Sequence, residues 1–94
     1  MPCFYHATSW RNAESIDSNG FVIGWGGLAG PGVYVCETED QACRRCRGPA
    51  DVVFQVRTWY WPDAAPVPGN YIIYNPSHEI QSYRWYWDCQ HGYS

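Results

Sequence analysis

A histidine, a tyrosine and an asparagine stand in three short apolar segments of this chain. His6 lies in Phe4-Tyr5-His6-Ala7-Thr8, Tyr34 follows Gly30-Pro31-Gly32-Val33, and Asn70 opens Asn70-Tyr71-Ile72-Ile73-Tyr74. An imidazole can exchange a hydrogen bond with a ligand hydroxyl, and a phenol ring can stack on a planar ligand. A carboxamide can bond a hydroxyl but carries no charge and offers no general base. Each segment reads as a strand or a turn entering one, so the three side chains are expected to meet in one cleft. Gly24-Trp25-Gly26-Gly27-Leu28-Ala29-Gly30-Pro31-Gly32 packs five glycines into nine residues and suits close approach of backbone to a ligand. The plainer reading of the stretch is a flexible surface loop; Trp25, a large ring inside it with little core to fill, argues instead for a ring that can close over a planar ligand.

The elements that must position these residues follow from local signals. Cys3 to Thr8 reads as a first strand, with Phe4 and His6 on one face and Tyr5 and Ala7 on the other. Ser9 caps a helix whose apolar positions Trp10, Ala13 and Ile16 fall at helical spacing, and Asn19-Gly20 stops it. Phe21-Val22-Ile23 is a short extended run, and Val33 to Cys36 the next strand. Thr38, followed by Glu39 and Asp40, caps a second helix through Arg47, stopped by Gly48-Pro49. Asp51 to Trp61 is the longest strand signal, apolar on both sides at its start and therefore central. Pro62, Pro66 and Pro68 bound a rigid connection; Asn70 to Tyr74 is a strand, Ser77 to Gln81 a bend or helical turn, and Ser82 to Trp87 a last strand of alternating rings. This order describes one small α+β domain, 1–94, with six strands, two short helices and two small, mostly antiparallel sheets facing across a cleft.

Composition bounds the function. The 94 residues hold one leucine, one methionine, six tryptophans and eight tyrosines, so burial must come largely from aromatic rings. A net charge of −3, with no basic cluster beyond Arg44, Arg45 and Arg47, lacks the electrostatic footprint of generic duplex binding. All six basic residues are arginine. Compositional bias is the plainer reason; avoidance of lysine-directed modification, as in an effector delivered into a foreign cytosol, is the sharper one. The five cysteines are odd in number, and Cys43-Arg-Arg-Cys46 has the spacing of a metal half-site or redox pair without a second half-site. Reduced thiols are the default, and with no secretory signal or membrane span visible the expectation is a soluble, cytoplasmic monomer.

His-Ala-Thr at 6–8, a helix containing Ile16, Gly20-Phe21, the glycine loop, Gly30-Pro31-Gly32-Val33-Tyr34 and Asn70-Tyr71-Ile72-Ile73-Tyr74 occur in the order and approximate spacing of a known pattern. Together, over residues 4–87, they resemble the catalytic domain of poly(ADP-ribose) polymerases. That family shows His-Gly-Thr or His-Gly-Ser, then Gly-Phe or Gly-Leu, then Gly-x-Gly-Ile-Tyr, then Glu-Tyr-x-x-Tyr. The resemblance implies a minimal ADP-ribosyltransferase fold that binds NAD in a cleft between the sheets. It implies that His6 bonds a ribose hydroxyl, that the backbone of Ala7 holds the nicotinamide carboxamide, that Thr8 touches ribose and that Tyr34 stacks on nicotinamide. Three positions depart from the family: Asn70 replaces its glutamate, Ala42 its carboxamide-binding serine and Arg45 its second stacking tyrosine.

The resemblance therefore implies an NAD-dependent mono-ADP-ribosyltransferase, with His6, Tyr34 and Asn70 as the catalytic set. ADP-ribose would pass to a protein or nucleic-acid acceptor or to water, with chain elongation excluded by Asn70. Glu79, the downstream glutamate, is a stand-in for the missing acid or simply a solvated turn residue, and the turn residue is the plainer reading. The alternative is an NAD or ADP-ribose-binding module without turnover. A third reading is an aromatic interaction domain that stacks sugars through Trp59, Trp61, Trp85 and Trp87, although alternating rings are also what a core face looks like and core packing is expected of them. His78 and His91 have no partners at ligand spacing. No paired carboxylates suit glycoside hydrolysis, and no serine sits in a nucleophile elbow.

Overall fold

The computed structural model describes residues 2–21, 32–46 and 48–89. Nine elements follow in chain order: β1 (Cys3–Thr8), α1 (Trp10–Asn19), β2 (Val33–Cys36), α2 (Glu39–Arg45), β3 (Val52–Thr58), β4 (Asp63–Ala64), β5 (Asn70–Ile73), α3 (Pro76–Glu79) and β6 (Ile80–Asp88). The six strands form one antiparallel sheet in the order β4-β5-β2-β1-β3-β6. The chain is thus an α+β domain with a single sheet and three short helices among the described residues.

The two separate sheets expected from the sequence are corrected to one because β1 pairs on both of its edges. It pairs with β3 through all six of its residues, from Cys3–Arg57 to Thr8–Val52, but with β2 through Tyr5–Cys36 alone. The sheet is therefore two three-stranded halves, β4-β5-β2 and β1-β3-β6, joined along a narrow seam.

Alternation along the strands then sorts the side chains. One face carries Phe4, Val33, Val35, Phe54, Val56 and Ile73, covered by Ala13 and Ile16 of α1. The other carries Ala7, Cys36 and Val53, covered by Ala42 of α2. The helices lie on opposite faces: α1 links β1 to β2 across one face, and α2 links β2 to β3 across the other.

Local signals set the ends as expected. The Ser9 hydroxyl accepts from the Asn12 N–H at 3.2 Å, the Thr38 hydroxyl accepts from the Gln41 N–H at 3.2 Å, and Gly20 donates its N–H to the Ile16 carbonyl. A carboxylate oxygen of Asp51 accepts from the Trp10 N–H, adding negative charge where the helix dipole favours it. The second helix ends at Arg45 rather than Arg47, and the run Pro76–Glu79 closes as a third short helix. Phe21 is outside any strand, and Val22 and Ile23 lie outside the described residues.

β3 is central, as its apolar pattern requires, but stops at Thr58. Trp59, Tyr60 and Trp61 continue the alternation in sequence after the ladder has ended, and stand 53, 58 and 61 % exposed. Core packing is therefore corrected for Trp59 and Trp61, whereas Trp85, 39 % exposed, lies between Trp10 at 5.2 Å and the buried Phe54 at 5.7 Å, and Trp87 packs half-buried on the α2-side cluster. Trp61 leans edge-on against Phe4 and Tyr71. The true aromatic core is Phe4 and Phe54, with Phe21 and Tyr83 packed around Phe54.

The cysteines are not all reduced. Cys43 and Cys89, which are 46 residues apart with Cα atoms at 5.8 Å, form a disulfide, leaving Cys3, Cys36 and Cys46 as free thiols. The local C-x-x-C spacing pointed to the wrong partner, because the end of β6 comes back beside α2.

Truncating Phe54 to alanine is expected to cost about 3–5 kcal/mol, whereas Trp59→Ala should stay within about 0.5 kcal/mol. Urea denaturation of the two variants checks the difference; equal losses would contradict the placement of the core.

Candidate functional site at the strand seam

The seam is held at a single registered pair. Tyr5 pairs with Cys36, but beyond it the imidazole of His6 occupies the junction and bonds across it: Nδ1 lies 2.7 Å from the carbonyl oxygen of Tyr34. A carbonyl can only accept, so Nδ1 carries the proton and Nε2 keeps its lone pair. His6 also meets the Phe21 ring edge-on at 5.2 Å. Burial pushes the imidazole pKa below its ordinary 6.5, partly offset by the bond to Tyr34. At neutral pH His6 is therefore a neutral base with one fixed tautomer, and Nε2 is an acceptor suited to a hydroxyl.

The expected residues do not all share one face. By strand alternation His6 and Thr8 project toward α1 with Phe4, whereas Ala7, Tyr34 and Asn70 project toward α2 with Cys36. The structure brings His6 to the backbone of Tyr34, not to its ring, and brings Asn70 to Cys36. Asn70 is 9 % exposed, and its Oδ1 accepts from the Cys36 thiol at 3.3 Å. Burial holds that thiol up to about 11, against the opposing pull of Arg45 and Arg44, so it stays protonated.

Gly69 delivers Asn70 to this position. Its φ of +81° suits glycine, and a Cβ there would come within 2.7 Å of the Gln41 side chain. The Gly69 carbonyl accepts from the Glu37 N–H, tying the turn to the end of β2.

Ala42 is buried, packed with Ala7 and Cys36 beneath α2, while Arg45 is exposed at the helix end. The Ala7 carbonyl accepts from the Cys46 thiol at 3.4 Å. Thr8 is buried at the top of β1, and its carbonyl accepts from the Asp51 N–H. Trp25 lies outside the described residues. Glu79 uses Oε2 to accept from the Asn75 N–H at 2.7 Å, so it serves the turn into α3.

Two participants escape sequence reasoning, the Cys36 and Cys46 thiols. Cys36 stands two positions after Tyr34 and so shares its face, a signal visible in the strand pattern; Cys46 approaches Ala7 only through the fold. Among the described residues no cluster of three or more metal-ligating side chains occurs. Comparison of the chain with protein-family models, with curated proteins and with solved structures gives no match in any of the three.

The titration of His6 supplies a test. Its folded pKa lies below its unfolded value, so below pH 6.5 the unfolded chain takes up a proton that the folded chain resists. The stabilisation is complete above that pH and is lost as pH falls through the window between the two values. Unfolding free energies measured between neutral and mildly acidic pH should decline more steeply for the native chain than for His6→Gln; parallel profiles would contradict the burial of a neutral imidazole.

Proposed function

We propose that the chain is a minimal PARP-like ADP-ribosyltransferase domain that binds NAD at the β1–β2 seam. In this reading it releases nicotinamide and transfers single ADP-ribose units to a protein or nucleic-acid acceptor or to water. The observation that carries this reading is the fixed tautomer of His6, whose Nδ1–H is committed to the Tyr34 carbonyl. Nε2 is left to accept from a ribose hydroxyl, the role that the sequence resemblance gives it. With one sheet in place of two facing ones, the reading puts the ligand at the join of the two half-sheets rather than between sheets.

The other residues fit NAD in graded fashion. A ring at Tyr34 gives a cationic nicotinamide both stacking and cation–π attraction, about 0.5–2 kcal/mol. The Ala7 carbonyl and Asn70 Oδ1 accept from thiols at 3.4 and 3.3 Å, and a thiol is a weak donor that an amide or hydroxyl can displace. Breaking the bond between nicotinamide and ribose builds positive charge on the sugar, which a carboxylate would stabilise. Asn70 offers a dipole instead, so turnover is slow and limited to single additions.

The bond from Cys36 to a buried Asn70 favours a second reading, in which NAD or ADP-ribose is held without turnover. Among the described residues no helix is long and apolar enough to cross a membrane. The proposed cytoplasmic location is compatible with the Cys43–Cys89 disulfide if that bond forms conditionally.

Calorimetric titration with NAD and with ADP-ribose, alongside an assay for nicotinamide release with labelled NAD, separates the readings. Binding with release supports transfer, binding without release selects the module, and no binding of either ligand overturns both. His6→Ala is expected to weaken NAD binding about tenfold, equivalent to about 1.4 kcal/mol. An unchanged affinity would remove His6 from the site.

A further inference from the structure

We propose that the Cys43–Cys89 disulfide is a redox latch on α2. Oxidised, it holds the helix against the sheet face that carries Tyr34, Cys36 and Asn70; reduced, it lets the helix lift and opens that face.

The helix packs on β1, β2 and β3, but that packing rests on one small buried residue and a few half-buried side chains. It spans seven residues, too short to persist on its own, and among them only Ala42 is buried. Its C-terminus runs straight into extended backbone at Cys46. The underside is imperfectly satisfied as well: Gln41 Oε1 is buried over the β5 turn with no hydrogen-bond partner among the described residues, a cost that lifting would relieve by admitting water. Against these weak contacts stands one covalent tie, from Cys43 in the helix to Cys89 just past the end of β6, where the Cys89 N–H is itself bonded to the Asp51 carbonyl.

Four of the five cysteines gather in this one layer, Cys36, Cys43, Cys46 and Cys89. The two free thiols of this layer, Cys36 and Cys46, lie beneath or beside α2, donating to Asn70 Oδ1 and to the Ala7 carbonyl. Cys46 is the nearest internal nucleophile in sequence, but burial, with Asp51 adding to it, raises its pKa and keeps it a thiol. The reductant is therefore external, a small-molecule or protein dithiol. It attacks one sulfur of the pair, leaves as its own intramolecular disulfide after giving up two electrons, and its two protons end on the Cys43 and Cys89 thiols.

The latch itself is independent of ligand identity; its consequence for NAD rests on the function proposed above. The oxidised 94-residue chain and the same chain treated with a dithiol are alkylated with iodoacetamide and followed residue by residue by mass spectrometry, with amide exchange recorded in parallel. Reduction should raise the labelling rate of Cys36 at least tenfold and strip protection from α2 amides, while the amides of Val53 to Val56 remain protected. Cys89→Ser should reproduce this without reductant. Cys36 labelling unchanged by reduction overturns the latch, and so does simultaneous loss of protection in α2 and β3, which would mean global unfolding. If α2 opens and NAD binds at least threefold more tightly, the latch governs the proposed site. If α2 opens and NAD binds in neither state, the latch stands and the NAD reading falls.

Discussion

Tyr5 and Cys36 form the one registered pair between β1 and β2, and across it two three-stranded half-sheets must stay in line. A continuous ladder would shed this burden over several backbone bonds. Here the junction instead borrows a side chain, and the His6 imidazole bonds the Tyr34 carbonyl where the strands part. That bond fixes the ring's tautomer, and the surrounding burial keeps it neutral. A structural necessity thereby leaves an oriented nitrogen lone pair at the join of the two half-sheets, and the proposed ligand site rests on that group.

The two faces beside the seam differ in how they are covered. On the α1 side the packing is deep and aromatic, with Phe4 and Phe54 fully buried and Phe21 and Tyr83 around Phe54. On the α2 side the buried layer is Ala7, Ala42, Cys36 and Val53, with Tyr5, Trp87 and three further cysteines half-buried around it. Its buried centre is of small residues and thiols, whose hydrogen bonds are weak, and the proposed latch acts on this face. Tyr34 and Asn70 belong to it, while His6 belongs to the other. A ligand that engages all three has to span the seam, and that geometric demand is stricter than the sequence spacing suggests.

Much of the local structure was legible in the sequence because its causes are local. The limits of β1, the Ser9 and Thr38 caps, the stop at Gly20 and the central place of β3 all follow from residue types within a few positions of each other. What sequence reading missed is nonlocal. Alternation tells which residues of β1 share a face and which residues of β2 do, but only the Tyr5–Cys36 register says how the two patterns align. That alignment separates His6 from Tyr34 and merges two expected sheets into one. Trp59 and Trp61 continue the strand pattern past the last paired residue, which no local signal marks. β4 hides within a proline-bounded connection because its pairing partner, β5, supplies its order. The Cys43–Cys89 bond joins residues that only the completed sheet brings together.

The tautomer and environment of His6 bear most directly on the proposed NAD site, and long-range nitrogen–proton correlation spectra of the ¹⁵N-labelled protein report both. At neutral pH the account predicts a neutral ring protonated at Nδ1, with the Nε2 resonance shifting when NAD is added and Nδ1 nearly unmoved. A ring protonated at Nε2, an imidazolium at neutral pH, or an Nε2 signal indifferent to saturating NAD would contradict it.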